Sequence, residues 1–232
     1  MHSRKSDIEA LITDAEKTLS DVESAYKQSL AESEVRSELK IEIKHFCEDL
    51  RSVLDYLAHD VRESHCATAR ASQRFYFPII DNASDFAGMV NNWYPGLRTV
   101  KPDLWEYLES VQPYKSGKNL WLAQFNELNN ENKHDALVPQ TRTETERVTV
   151  KTQGGGSVSW NPANVRFGSG VRIGGVPVNP TTQMPVPHSS QSIERVKWVD
   201  FRFRDLNVSA IALLRQSLAG IRDIASNIAK RM

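Results

Sequence analysis

Ile8, Leu11, Ile12, Ala15, Leu19, Val22, Tyr26 and Leu30 recur at three- and four-residue steps, with charged residues between them. That period predicts an α-helix with an apolar stripe along one side, and the stripe has to be covered. The chain supplies covers of its own. Leu39, Phe46, Leu50, Val53, Leu54, Leu57 and Val61 mark a second long helix, and Val208, Ile211, Leu214, Leu218, Ile221, Ile224, Ala225 and Ile228 mark another at the far end of the sequence. Ser6 and Glu9 have the spacing of a capping box opening the first helix. The polar passage Ala31 to Glu34 reads as the turn that lays the second helix antiparallel to the first.

The middle of the chain is punctuated by proline. Pro78 forbids a regular helix through Arg74–Ile80 and biases Phe77 toward extended backbone, so this aromatic run is expected as an extended plug across the bundle. A short helix over Asp85–Asn92 closes at Tyr94-Pro95-Gly96. Pro102 suits the first turn of the next helix, which ends at Gln112-Pro113-Tyr114. Trp121, Phe125 and Leu128 then give one more helix its buried side.

After Pro139 the period changes from helical to alternating. Arg147–Lys151 and Ser157–Trp160 flank the glycines 154 to 156 as a hairpin, with short strands expected around Val165–Phe167, Val171–Ile173 and Val176–Val178. Asn179 to Ser192, with three prolines, is expected as an irregular exposed loop, and Ile193–Arg204 as a long strand bulged between Trp198 and Val199. The expected fold class is α+β, an antiparallel helical bundle with an inserted small antiparallel β unit. Its parts are a helical bundle over residues 1–142, a β-rich insertion over 143–204, and a C-terminal helix over 205–232 that returns to the bundle.

Charge excludes one class of function. Lys+Arg 29 balance Asp+Glu 29, so no global field draws the protein to nucleic acid or to an anionic membrane, and such binding needs a local patch. No apolar run approaches the ~18 residues of a membrane span, and the N-terminus lacks a secretory apolar region. Two isolated cysteines, Cys47 and Cys66, read as reduced thiols, so the chain is expected to be soluble and cytoplasmic. With His45 and His65 they fit no standard zinc spacing, and neither a metal nor a cofactor is expected. Gly154–Gly156 lacks the Lys-Ser/Thr of a phosphate-binding loop, and Ser157 and Ser159 lack a nucleophile signature.

The densest cluster of chemically useful groups lies at the end of the Leu120–His134 helix, where Asn129, Asn130, Lys133 and His134 combine amide, ammonium and imidazole. His134 can exchange protons near neutral pH, while Lys133 and the amides can hold an anionic or polar ligand. The plainer account is that these cations stabilise the negative end of a helix. On the second helix, Arg51, Asp55 and His59 follow at four-residue steps on a face distinct from the apolar stripe. Alone they are a surface ion pair with a neighbouring histidine. Packed beside the Leu120–His134 helix, Asp55 could orient His134 and Arg51 could grip a phosphate with its planar fork. Arg195, Lys197, Arg202 and Arg204 interleave with Trp198, Phe201 and Phe203, which suits either nucleic-acid stacking or an ordinary strand with a basic outer face.

Leu50–Ala58, Phe77-Pro78-Ile79, Gln112-Pro113-Tyr114 and Asn129–His134 together resemble a bacterial group of uncharacterised helical proteins that share the order LRSxLDxLA, FPI, QPY, NxxKH. The resemblance spans residues 40 to 140. More remotely, long helices ending in a polar, histidine-bearing segment are similar to HEPN domains, helical bundles that often dimerise and in some members cleave RNA. That similarity implies a nucleotide- or RNA-associated protein in a defence or toxin setting, with a homodimer among the expected assemblies. It implies His134 as the proton-transfer group and Arg51 with Lys133 as the phosphate-stabilising cations of a metal-independent ribonuclease. In place of the usual arginine before the histidine stand Asn129 and Asn130. The alternative function is a non-catalytic helical scaffold that binds a partner protein through its β insertion.

Overall fold

In the computed structural model the described residues are 4–28, 37–69, 73–134, 137–138, 140–203 and 206–232, with the side chains at 27, 28, 37, 133, 134, 141, 142, 144, 145 and 196–199 outside the described set. The fold is α+β. The chain divides into a helical unit, residues 1–141 and 201–232, and a β-rich unit, residues 142–200.

In the helical unit α1 (Lys5–Gln28) packs on α2 (Ser37–His65) and on the C-terminal α7 (Ala210–Ala229). α6 (Leu120–His134) packs on both α2 and α7. The apolar stripes meet at the centre: Phe46, Leu50 and Leu54 of α2, Leu122, Phe125 and Leu128 of α6, and Leu214 and Ile221 of α7 are fully buried. Burying each such side chain contributes about 1.5–3 kcal/mol. At the α6–α7 crossing the indole of Trp121 lies directly on Gly220, whose missing side chain lets the helices approach.

The start of α1 differs from the capping-box expectation. The helix begins before Ser6, with Ile8 N–H donating to Arg4 C=O at 2.9 Å, so Ser6 lies inside the first turn. A tertiary contact sets this start. The Arg4 guanidinium donates to Asp60 Oδ1 at 2.8 Å and to Glu63 Oε1 at 2.7 Å on α2, and it holds the Glu63 carboxyl below its ordinary range.

Smaller elements link α2 to α6. α3 (Ala83–Trp93) is capped by Asn82, whose side chain accepts from Asp85 N–H at 3.0 Å. α4 (Leu97–Val100) follows Gly96, which sits at φ +85°. α5 (Pro102–Ser110) places Pro102 in its first turn, where the absent N–H costs nothing. Residues 73–80 form neither helix nor strand, and Phe77 and Ile80 are buried.

Two sheets organise the strands. One has the order β2-β1-β6-β7, from β1 (Gln140–Thr152), β2 (Ser157–Trp160), β6 (Gln191–Phe203) and β7 (Val208–Ser209). β1 and β2 pair antiparallel with Val148 opposite Trp160 and Val150 opposite Val158. The other is β3 (Arg172–Ile173), β4 (Val176–Asn179) and β5 (Met184–Pro185), in that order. Val148, Val150, Trp160, Ile173 and Val178 form the small core of the β-rich unit.

Two strand expectations are corrected. Val165–Phe167 is not a strand, because its backbone is satisfied outside any ladder: Val165 N–H donates to Asn161 C=O, and Phe167 N–H to the Gln183 side chain at 2.6 Å. The Asn179–Ser192 stretch is not wholly irregular, since a turn with Gln183 at φ 57° brings Met184 and Pro185 back to pair with Asn179 and Val178. The expected turn at Ala31–Glu34 and the side chains of the expected Trp198–Val199 bulge lie outside the described residues.

Candidate functional site

α2 and α6 together build the first two walls of a cleft. Arg51 and Asp55 stand one turn apart on α2, where Arg51 Nε donates to Asp55 Oδ2 at 3.3 Å and Nη2 lies 3.0 Å from Asp55 Oδ1. Arg51 Nη1 reaches across to α6 and donates to Asn126 Oδ1 at 3.3 Å. The guanidinium is therefore fixed from both helices and is only 9% exposed. On α6, Asn126 and Asn130 follow at a four-residue step, with Asn129 beside them at 1% exposure.

The third wall is the extended 73–80 stretch with the end of α3. It would be mobile without partners, since it makes no sheet pairing, yet buried polar groups fasten it in place. Gln112 is fully buried and clamps it: its Nε2 donates to Pro78 C=O at 3.1 Å, and its Oε1 accepts from Ile80 N–H at 2.9 Å. The Tyr94 hydroxyl donates to Tyr76 C=O at 2.8 Å. Burial, reinforced by the negative charge of Asp55, pushes the Tyr94 pKa well above the ordinary tyrosine value, so the hydroxyl remains a donor. Arg62 donates to Trp93 C=O and covers the Phe75 ring at 4.2 Å. These clamps leave Tyr76 projecting, 49% exposed, with its ring edge-on to Trp93 at 6.2 Å and the Arg51 guanidinium 5.8 Å from its centroid.

The three walls enclose about 470 Å³, lined by Arg51, Asp55, Tyr76, Phe77, Ile79, Trp93, Asn126, Asn129 and Asn130. A shallower hollow of about 360 Å³ adjoins it through Asn126 and Asn130 and carries Asp81, Glu127 and Glu131 on its lining. No family model, curated protein or solved structure matches the chain. What the cleft can do follows from its own groups: a planar cation, an exposed aromatic face, a carboxylate and three amides around a volume suited to a small organic ligand.

The sequence candidates are distributed as follows. Arg51, Asp55, Asn129 and Asn130 share the cleft. His59, one turn further along α2, is not among its lining residues, its ring packing edge-on to Phe75 at 4.6 Å with Nδ1 3.7 Å from Glu63 Oε1. Lys133 and His134 occupy the last two positions of α6, and their side chains lie outside the described set, as does the coupling expected between Asp55 and His134. Of the basic strand, Phe201 and Phe203 are buried, Phe201 stacking on Tyr26 at 4.7 Å, so these rings are not offered for base stacking. Arg195 pairs with Glu146 at 3.2 Å, and Arg202 is bonded to Asn207.

Tyr76, Trp93, Asn126 and Gln112 did not emerge from the sequence as site residues. A hydroxyl-bearing tyrosine within the apolar Phe75–Ile80 run, and an asparagine four residues before Asn130, are the signals that point to two of them.

Elsewhere, a groove of about 590 Å³ between α1, α2 and α7 is mainly aliphatic, through Ile8, Ile12, Leu57, Ala225 and Ile228. On its charged rim Asp60 pairs with Arg4, and Arg222 with Glu16. Among the described residues no cluster of three or more His, Cys, Asp or Glu could hold a metal ion. Cys47 and Cys66 are free and buried, and burial pushes both thiols up, away from the reactive thiolate. No helix among the described residues is long and apolar enough to cross a membrane.

Proposed function

We propose that the cleft binds a nucleotide or a short run of single-stranded RNA, and that the chain is a HEPN-like nucleotide- or RNA-associated protein. The observation that carries this reading is the conjunction of Arg51 and Tyr76: a guanidinium held 5.8 Å from the centroid of a half-exposed ring. A base stacks on such a ring, and a phosphate is gripped by such a fork. Asp55 and Asn126 hold the fork oriented until an anionic ligand competes for it. On RNA, His134 would move the proton while Arg51 with Lys133 stabilise the developing phosphate charge, giving a metal-independent ribonuclease of the kind used in bacterial defence or toxin systems.

One observation favours a second reading. Asn132, 7% exposed, accepts from Val138 N–H at 3.1 Å, so one amide of α6 ties the chain down beyond the helix end. In a non-catalytic scaffold the remaining amides would have only such work, and a partner protein would be met through the β insertion.

Fluorescence anisotropy with a labelled single-stranded RNA oligomer, displaced by mononucleotides, separates the two. Tyr76→Ala is expected to weaken binding about 5- to 150-fold, the equivalent of about 1–3 kcal/mol for one stacked base. Because the ring is 49% exposed, the melting temperature should stay near that of the parent protein. Absence of binding by the parent protein at millimolar nucleotide would overturn the proposal in favour of the scaffold.

A further inference from the structure

We infer that the cleft is a single-nucleotide site fitted to a nucleoside monophosphate, and that the carboxylates beside it disfavour longer phosphate chains; this rests on the nucleotide reading above and narrows it. Arg51 is the one cation among the described side chains that line the cleft or the adjoining hollow. It already stands 3.0 Å from Asp55 Oδ1, so the lining is formally neutral before a ligand arrives. One such fork compensates one phosphate. Tyr76 offers a single half-exposed ring, and Trp93 meets it edge-on rather than in parallel, so one base face is covered and a second base has no platform there. Proteins that track a nucleic-acid strand repeat both elements, with rings in succession along a positively charged groove.

The space adjoining the cleft has the opposite charge. Asn126 and Asn130 of α6 line both hollows, and the residue after each, Glu127 and Glu131, lines the second one together with Asp81. Asp81 and Glu127 are exposed, and among the described residues no ion pair occupies either. Each phosphate beyond the first brings roughly one more negative charge, which meets these carboxylates and no further described cation. In water, two like charges about 8 Å apart disfavour each other by a factor of about two to three. Acting together and partly screened by salt, the three carboxylates should weaken binding by about three- to tenfold per added phosphate. Specificity of this kind comes from a repulsive element beside an attractive one.

Calorimetric titration of the intact protein with adenosine mono-, di- and triphosphate and with a tetranucleotide of adenylate, with and without magnesium, tests this. The monophosphate is expected to bind most tightly, and its advantage over the triphosphate should shrink toward one near 1 M salt, where the screening length falls to about 3 Å. Asp81→Asn combined with Glu127→Gln removes two exposed charges; it should tighten the triphosphate several-fold and leave the monophosphate within about twofold. Triphosphate or tetranucleotide binding as tight as the monophosphate, or a preference unmoved by salt and by the double variant, would overturn the inference while the nucleotide reading stands. If none of the four ligands binds at millimolar concentration, the nucleotide reading falls and the inference with it.

Discussion

Replacing Gln112 with leucine is expected to destabilise the helical unit by about 3 kcal/mol and to lower its melting temperature by about 10 °C. The volume is nearly conserved, so the loss comes from polar groups. Ile80 N–H loses its 2.9 Å acceptor, and Pro78 C=O and Leu108 C=O lose donors at 3.1 and 2.6 Å, all in buried surroundings. Each buried group left unpaired costs about 1–3 kcal/mol. The substitution should also weaken nucleotide binding, although Gln112 does not line the cleft, because it fixes the stretch that carries Tyr76. Chemical denaturation and anisotropy on the same preparation check both effects; unchanged stability would show that the 73–80 stretch is held by other means.

Gly220→Ala provides the second large effect, and its sign opposes the usual rule. In mid-helix alanine is favoured over glycine by about 1 kcal/mol, so propensity alone predicts stabilisation. At Gly220 an added Cβ would lie 2.6 Å from Trp121 Cη2 and 2.7 Å from Cε2, with Cζ2 closer still. Trp121 is buried between α6 and α7 and cannot withdraw without disturbing its neighbours. Overpacking of this kind typically costs about 1–3 kcal/mol, and we expect a net loss of about 2 kcal/mol in a denaturant titration. A gain in stability would mean that the two helices are not closely apposed there.

The long helices were legible because amphipathic period is a local property. The stripe Leu50, Val53, Leu54, Leu57 is buried throughout, and a short window of sequence suffices to see it. Arg51, Asp55, Asn129 and Asn130 were also legible as polar positions on helices, and the packing of α6 on α2 brings them to one cleft. The third wall was hidden for the opposite reason. Gln112 meets Pro78 across 34 residues of sequence, and Tyr94 meets Tyr76 across 18, through single hydrogen bonds that leave no periodic trace. The FPI and QPY motifs were visible as motifs, but the hydrogen bonds between them were not. The capping box misled because a tertiary pair outranked a local rule: Arg4, held by Asp60 and Glu63, starts α1 ahead of Ser6.

The most direct test of the central claim, that the cleft of Arg51, Tyr76 and the α6 amides receives a nucleotide, is a titration of the intact protein with adenosine monophosphate followed by two-dimensional amide NMR. Saturable shifts are expected of the Asn126, Asn129 and Asn130 side-chain amides, the Trp93 indole and the Tyr76 backbone amide. Shifts confined to the aliphatic groove between α1, α2 and α7 or to the β-rich unit, or no shift at millimolar nucleotide, would contradict it.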